Sequence, residues 1–426
     1  MSPPFPSGLR TQGRHTSKPA PSRAGSRPGL SHPGRKAACG RLPRRCAVAG
    51  VVTALTYTAD ALGRAWPQVI LPFPCKFPED AAERSIADVA QARALLTTLA
   101  PGLATALARR RAALAPLIVD AAAQQRVQRS EAAVELAYAR LALRHGSWGE
   151  DFHAYHNEHH ILEIFDSRIA RLMQHVGVEA LNLDDWLLLG LFAACHDLRQ
   201  REPALYSAGV GSNERASIEE GLRILDLAGF EAGRDGHFHT ALELTIAGST
   251  FDARPPAQDW EYNSVDLVQS GGALASKLDA KLDKHVPGWR DQPAVVHALE
   301  LALLAADLDT ANVAEPFARF VETGTRLCLE REMRCHRSIE DPASALPVFG
   351  FLTDGQERFF FDLHRFNSDA GRDAFSAAKQ ANAAPLKTLT MSLRARIAIS
   401  GRPASGAEVI ETLRSLTREI EMRGTR

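Results

Sequence analysis

The sequence lacks several features that would assign it at once to a class of protein. Its apolar runs fall short of the roughly eighteen residues that a membrane-spanning helix needs, so we expect a soluble chain with no membrane contact. It has no GxGxxG or P-loop motif, which are typical of nucleotide-binding α/β units, and no internal repeat. Its six cysteines include no CxxC pair, a pattern that suits a reducing cytosol. These absences favour a cytoplasmic globular protein.

Aromatic residues are also scarce, at 7% of the chain, while alanine and leucine are abundant. This composition favours helices over sheets. Apolar residues make up 45% and charged residues 23%, which is the balance of a globular protein. Because the formal net charge is zero, no overall field attracts nucleic acid, and we do not expect nucleic-acid binding by the domain.

Acidic residues are missing from the N-terminal part. No Asp or Glu occurs before Asp60, whereas the first fifty residues carry ten Lys and Arg among many Pro, Ser and Gly. Such a segment buries too little apolar surface to offset the entropy of ordering it, so we predict a disordered basic tail over 1–55. Three interpretations stay open: a transit peptide, a nucleic-acid-binding tail, or translated sequence upstream of the true start, which we favour.

The rest of the chain has the apolar spacing of helices. After a Pro-interrupted linker over 56–80, the pattern predicts a helical domain over 81–400 and a C-terminal helix over 401–426. Only 68–71 and 346–352 have a strand-like composition, and neither has an identifiable partner strand. The predicted fold class is therefore all-α. Helical stretches are predicted from about 79 to 100 and at about 103–114, 117–145, 156–176, 183–197, 213–229, 236–248, 293–311, 314–334, 354–366, 370–398 and 405–422. The last of them has one apolar stripe, formed by Val409, Ile410, Leu413, Leu416 and Ile420.

Metal-binding residue types occur at three places along these helices. On a helix, His156 and His160 lie four residues apart and project from one face, while His159 points elsewhere. A nearly continuous apolar helix ends in His196-Asp197. A third apolar helix carries Asp307-Leu308-Asp309, whose two carboxylates lie about 200° apart around the axis, so at most one of them faces a given site.

Each of these places has an ordinary explanation when it is taken alone. The histidines suit a polar helix face, His196 suits a helix C-terminus, and Asp307 suits a helix end paired with an arginine such as Arg319. Taken together, the three places favour a shared ligand, because unpaired polar groups beside apolar helices are costly to bury. Imidazole nitrogens and carboxylate oxygens are ligands for Zn, Mn, Fe or Mg, so the sequence predicts a site for a divalent metal ion.

In their order along the chain, these motifs resemble the HD-domain metal-dependent phosphohydrolase superfamily. The similarity is greatest to predicted HD hydrolases with the segments Y-H-N-x-x-H, H-D, N-E-x-x-S and D-L, and more distant to class I cyclic-nucleotide phosphodiesterases. It covers about 150–310 and extends more loosely to about 395. In this chain the four segments are Tyr155-His156-Asn157-Glu158-His159-His160, His196-Asp197, Asn213-Glu214-Arg215-Ala216-Ser217 and Asp307-Leu308.

The resemblance implies an HD-type helical bundle in which His160, His196, Asp197 and Asp307 hold the metal. A metal in such a site activates water for attack on phosphorus, and Asp197 would bridge a second ion. His156, placed near ligand His160, is a candidate general acid for the leaving group; the alternative is a plain hydrogen-bonding role.

Four further residues lie close to these motifs. Asn213 and Glu214 are candidates to orient the attacking water or a second ion, or else they begin a helix as its N-cap and first turn. Arg199 and Arg201 follow the His-Asp pair and are candidates to contact a substrate phosphate, although we favour solvated loop charges.

The chain departs from two relatives within this resemblance. It has no His-His pair between Asp197 and Asp307 and no GYP motif, which are features of cyclic-di-GMP hydrolases. Val348 stands where cyclic-nucleotide phosphodiesterases place a Gln two residues before Gly-Phe, while Gln356 lies three residues before Phe359 with Arg358 in place of the glycine. The expected function is hydrolysis of a phosphomonoester or phosphodiester in a nucleotide or another small molecule. The sequence carries no signal for the oligomeric state. The alternatives are a cyclic-nucleotide phosphodiesterase-like enzyme and a catalytically silent metal-binding regulatory module.

Overall fold

The computed structural model describes residues 77–200, 211–250 and 273–424. They belong to one compact unit that spans 55–426. The predicted tail over 1–55, the segment 68–71, most of the predicted linker over 56–80 and Arg201 lie outside the described residues.

Helices joined by short connections make up the described part of the chain, with no β-sheet among those residues. This confirms the all-α fold class. The α-helices are α1 (Ala81–Ser85), α2 (Val89–Leu99), α3 (Pro101–Leu114), α4 (Ala121–Arg144), α5 (Glu158–Leu162), α6 (Ala170–Val176), α7 (Leu183–Cys195), α8 (Ser212–Leu227), α9 (Ala232–Ser249), α10 (Leu278–His285), α11 (Pro293–Thr310), α12 (Phe317–Arg334), α13 (Ala345–Gly350), α14 (Asp369–Ser400) and α15 (Gly406–Gly424).

Helix α7 lies at the centre of the core. It begins with a capping box in which Asn182 accepts from the amide of Asp185 and the Asp185 side chain accepts from the amide of Asn182, so two donors at the helix start are satisfied. Every residue from Trp186 to Cys195 is buried, and the helix packs against α4, α9 and α11. An apolar helix of this kind belongs inside a bundle, and its C-terminal end carries His196 and Asp197 into the interior.

The segment 346–352, which has a strand-like composition but no identifiable partner strand, is helical: α13 and a π-helical turn over Phe351–Gly355 cover it. Val348 and Phe351 pack in a small second core with α15. The β-propensity of Val and Phe reflects how their side chains pack on a sheet rather than a fixed backbone preference. Here they pack against helices, so the segment is helical.

The C-terminal helices follow the predicted apolar stripe. Gly401, with φ of +87°, ends α14 in a conformation that glycine adopts without strain, and the chain then returns as α15 along α14. On α15 the predicted stripe is buried or half-buried, and its members are Val409, Ile410, Leu413, Leu416 and Ile420. None of the described helices combines the length and apolar character that crossing a membrane requires.

Candidate metal centre

His160 is positioned by the start of α5. Asn157 is the N-cap, and its side-chain oxygen accepts from the His159 amide at 2.9 Å, as asparagine commonly does at a helix start. His160 therefore lies in the first turn, 1% exposed, with its ring against Tyr155 at a centroid distance of 4.5 Å. His159, by contrast, is an exposed side chain.

This start also corrects the predicted helix over 156–176. His156 precedes the N-cap, so it does not share a helix face with His160. The helix continues from α5 through a π-helical segment over Glu163–Ile169 into α6. The two histidine rings still approach to 6.4 Å between centroids, because the extended N-cap residue between them turns the chain back toward the site.

His196 and Asp197 close the buried end of α7. His196 is the C-cap residue, and its Nδ1–H donates to the carbonyl of Phe192 at 3.2 Å. That hydrogen bond leaves Nε2 as the nitrogen with a free lone pair, which is how a metal-binding histidine is usually oriented. Nε2 of His196 lies 3.0 Å from Oδ2 of Asp197.

Asp309 completes the cluster from the last turn of α11. Its Oδ1 lies 3.3 Å from Nε2 of His160 and 3.3 Å from Nε2 of His196. His160 and Asp197 are 3.7 Å apart at Nε2 and Oδ2. The structure thus brings together His160, His196 and Asp197, as the sequence predicts, with Asp309 as the fourth residue.

Asp307 occupies a different place from the one predicted for it. Its buried carboxylate accepts four hydrogen bonds, from the amides and the side chains of Asn367 and Ser368 at 2.6 to 3.0 Å. Gly371 allows this close approach, since a Cβ there would lie 2.2 Å from Oδ2 of Asp307. The structure therefore places Asp309, and not the predicted Asp307, beside the histidines, because Asp307 faces the start of α14 from the opposite side of α11.

The four residues fit the ligand set of a divalent cation. Ligand atoms about 2.0–2.2 Å from one ion lie about 2.8–3.6 Å from each other in octahedral or tetrahedral geometry. Here Nε2 of each histidine lies 3.0–3.7 Å from the nearer oxygen of each carboxylate. Nε2 of His196 is buried without a hydrogen-bond partner, although it points among carboxylates. Buried His and Asp groups that could hold a metal ion are therefore present.

Electrostatics at the cluster favour a cation. Burial alone would raise the pKa of Asp309, but the neighbouring His196 and His160 hold it well below its usual range. Burial lowers the pKa of His196, and Asp197 and Asp309 together raise it well above its usual value. The negative ends of the α7 and α11 dipoles converge here as well, so a positive charge is needed between the side chains.

A second polar group flanks the cluster. Nδ1 of His156 lies 2.6 Å from Oε1 of Glu330, whose other oxygen accepts the amides of Tyr155 and His156. Arg334 donates to the same Oε1 at 2.7 Å. Burial lowers the pKa of His156, yet Glu330 and then Asp197 raise it above its usual value. His156 is thus a fixed, half-buried imidazole that holds a proton readily.

Asn213 and Glu214 lie in the first turn of α8, next to the cluster. The N-cap of α8 is Gly211, with φ of +94°, so the alternative prediction of Asn213 as N-cap is wrong. Instead Asn213 donates to Oε1 of Gln200, and Gln200 donates to Oδ1 of Asp197 at 3.1 Å. Burial raises the pKa of Glu214 to about 7, and the charge of Asp197 adds to the rise.

Arg199 does not face the site, nor is it a solvated loop charge. It is 4% exposed, and its guanidinium lies 3.2 Å from Glu83 and donates to the carbonyl of Pro78. The amide of Arg199 donates to Oγ of Ser217 at 3.0 Å. The serine of the Asn-Glu-x-x-Ser segment therefore anchors the chain just after the His-Asp pair.

Sequence reasoning missed Glu330, Arg334 and Gln200. Glu330 and Arg334 are four residues apart on α12, in a charged segment that is typical of a solvated helix face. No pattern in the neighbouring residues indicates that they are buried. Gln200 is three residues after Asp197 and carries no motif. Asp309 was visible beside Asp307, but spacing alone could not say which of them faces the histidines.

Comparison with protein-family models, with curated proteins and with solved structures gave no match.

Proposed function

We propose that this chain is a divalent-metal-dependent hydrolase of phosphoric esters that acts on a small molecule such as a nucleotide. The observation that carries the proposal is the convergence of His160, His196, Asp197 and Asp309 beside a histidine already paired with a carboxylate. The order of the motifs along the chain, which resembles the HD-type phosphohydrolases, supports the same reaction class.

The four clustered residues would hold the ion. When bound, a divalent cation polarises a phosphoryl oxygen and lowers the pKa of water. His196 is oriented for this task by its bond to Phe192. For His160, the Glu163 carboxylate lies 3.6 Å from Nδ1 and is itself held by Arg326.

His156 is suited to supply a proton to the leaving oxygen. Glu330 occupies Nδ1 of the ring, so Nε2 is the atom that can hold or release a proton toward a substrate. A general acid of this kind commonly contributes a factor of about 10²–10⁴ to the rate. Glu330 acts through His156 and is a positioning residue.

Glu214 and Asn213 complete the polar wall of the site. Glu214 is a carboxylate near Asp197 with a pKa of about 7, so it can accept or return a proton near neutral pH. Asn213 orients Asp197 indirectly through Gln200. We infer that these residues orient the attacking water.

The first test is metal analysis of the purified protein. The second measures release of phosphate or alcohol from p-nitrophenyl phosphate, from its bis-ester and from a panel of nucleotides, with Mn²⁺, Mg²⁺ or Zn²⁺ added. We expect turnover that Asp197→Asn and Asp309→Asn abolish, with Asp307→Asn as the matched control. Bound metal without turnover of any ester would favour a silent metal-binding module, and absence of both would overturn the proposal.

A further inference from the structure

A second histidine–carboxylate cluster follows α4. His145 is the C-cap of that helix, and the chain then makes a tight loop that returns at His153, whose amide donates to the carbonyl of His145 at 2.8 Å. The loop is held from the other side by Glu158, whose Oε1 accepts the amide and the hydroxyl of Ser147. Its shape is therefore set before any ligand binds.

The two imidazoles in this loop are buried side by side. Their ring centroids are 4.1 Å apart, and His145 and His153 are 4% and 0% exposed. Oδ2 of Asp151 lies 3.2 Å from Nδ1 of His145 and 3.3 Å from Nε2 of His153. The three ligand atoms lie within 4.8 Å of one another.

These separations suit a shared ion better than direct hydrogen bonds. All four ring nitrogens of His145 and His153 are buried without a hydrogen-bond partner in the described structure, so the Asp151 oxygen is close to the two rings but is not aligned with either N–H direction. Two buried imidazoles left in that state are costly. Ligand atoms around a tetrahedral ion, at about 2.0–2.2 Å from it, are themselves about 3.3–3.6 Å apart.

We propose that His145, Asp151 and His153 form a second divalent-metal site, distinct from the His160 cluster, that takes a zinc-class ion. Two nitrogens and one carboxylate oxygen are a ligand set of zinc, with water as a fourth ligand. The side chain of Asp151 is 44% exposed, which gives an ion a path from solvent.

The carboxylate of Glu330 lies between the second site and His156. Nδ1 of His153 lies 3.3 Å from Oε1 of Glu330, the oxygen that also lies 2.6 Å from Nδ1 of His156. A metal-binding histidine usually directs its other nitrogen to a carboxylate, and Glu330 is the carboxylate that lies beside that nitrogen of His153. An ion at His153 would therefore fix the carboxylate that orients His156.

The first experiment titrates the metal-free full-length protein with Co²⁺, following the visible bands of tetrahedral cobalt, and with Zn²⁺ by calorimetry. We expect Asp151→Asn to lose one equivalent that the wild type binds, or to bind it at least about tenfold more weakly. Glu150→Gln, an adjacent exposed carboxylate, is the matched control and should keep it. In an Asp309→Asn background, which disables the first cluster, the Asp151-dependent equivalent should remain.

The second experiment uses unaltered protein, so that a folding defect in a variant cannot decide the matter. Crystals grown with about two equivalents of Zn²⁺ should give anomalous density between His145, Asp151 and His153. Density at the His160 cluster alone would overturn this inference and leave the proposed function intact. Folded Asp151→Asn with the metal stoichiometry and affinity of the wild type would do the same. Density at the second site alone would support the inference and count against the proposed function.

Discussion

Asp307 and Asp309 are two residues apart on α11, and they serve opposite sides of it. Asp309 contacts the two histidines at 3.3 Å, whereas Asp307 receives four hydrogen bonds from the start of α14. The sequence predicts that the pair must divide in this way, because two residues along a helix correspond to about 200°. It cannot predict which one faces the site, since that depends on how α11 is rotated against α5 and α7.

The division gives a sharp prediction for metal affinity. Asp309→Asn removes a ligand and should weaken metal binding by more than the roughly 10- to 100-fold that loss of an indirect partner causes. Asp307→Asn should leave affinity within a few-fold but lower the free energy of unfolding by about 1–3 kcal/mol, because hydrogen bonds to a buried carboxylate are lost. Calorimetric titration and urea unfolding measure the two effects. The reverse pattern would restore Asp307 as the ligand.

Glu330 is a residue whose effect should be seen in a pH profile. It raises the pKa of His156 against the lowering caused by burial. If His156 donates a proton, activity falls as pH rises through that pKa, so Glu330→Gln should shift the alkaline limb of kcat to lower pH and reduce kcat. The metal content of the His160 cluster should stay unchanged. A lower kcat with the limb unmoved would assign Glu330 a purely structural role.

The histidine motif illustrates what a sequence can and cannot locate among residues. His196 and Asp197 were predicted from the apolar helix that precedes them, because polar groups in such segments need partners. His160 was predicted from its helical spacing and from the resemblance of its H-N-x-x-H segment. Glu330 was not found, since its partner His156 is 174 positions away in the chain. Long-range pairing of this kind leaves no local pattern.

At the scale of the element, helix starts are where sequence and structure differ most. The predicted helix over 156–176 begins in fact after Asn157, because an asparagine side chain that caps a helix holds its own backbone in an extended form. Helix α10 had no predicted counterpart. It is short and highly charged, with its buried apolar contacts made by Leu278 and Leu282, which is too little periodicity to detect.

Helix α9 carries a buried carboxyl whose ionisation should limit stability at alkaline pH. Glu243 is 6% exposed, and its Oε2 has no hydrogen-bond partner. Burial raises its pKa from 4.5 to about 8, so the folded chain holds this proton more tightly than the unfolded chain does. The stability that it contributes is fully present below about pH 4.5 and is lost as pH rises through about 8, an effect of roughly 5 kcal/mol.

Glu243→Gln tests this expectation, because an amide has no proton to lose. Between about pH 5 and about pH 9, the wild type should lose more free energy of unfolding than the variant does. Urea unfolding at several pH values measures the difference, with the exposed Glu300→Gln as control. Parallel pH dependence in wild type and Glu243→Gln would show that Glu243 is ionised in the folded protein.

At the scale of the whole molecule, composition and apolar spacing were enough to predict an all-α fold. They were also enough for most of the helices around the core, including the stripe on α15. They could not predict how the helices are arranged, and the site depends on that arrangement. The ends of α7 and α11 and the starts of α5 and α8 meet at one point, although each comes from a different part of the chain.

Metal binding should stabilise the whole unit. The cluster brings Asp197 and Asp309 together at the negative ends of two helices, and a bound cation offsets that charge. An ion that binds only the folded chain adds about 2.7 kcal/mol when present at 100 times its dissociation constant. Chelation should therefore lower the Tm of the wild type, and it should lower the Tm of Asp309→Asn by less. An unchanged wild-type Tm would mean that the cluster does not take up metal with useful affinity.

The last turn of α11 lies between the proposed ion site on one side and the start of α14 on the other. An ion bound to Asp309 would restrict fraying of that turn, which also contains Asp307. The amide hydrogens of Asn367 and Ser368, which point at Asp307, should then exchange with deuterium more slowly when metal is present. Hydrogen exchange would thus detect metal binding some sixty positions along the chain from the ligand itself, in a segment that makes no contact with the ion.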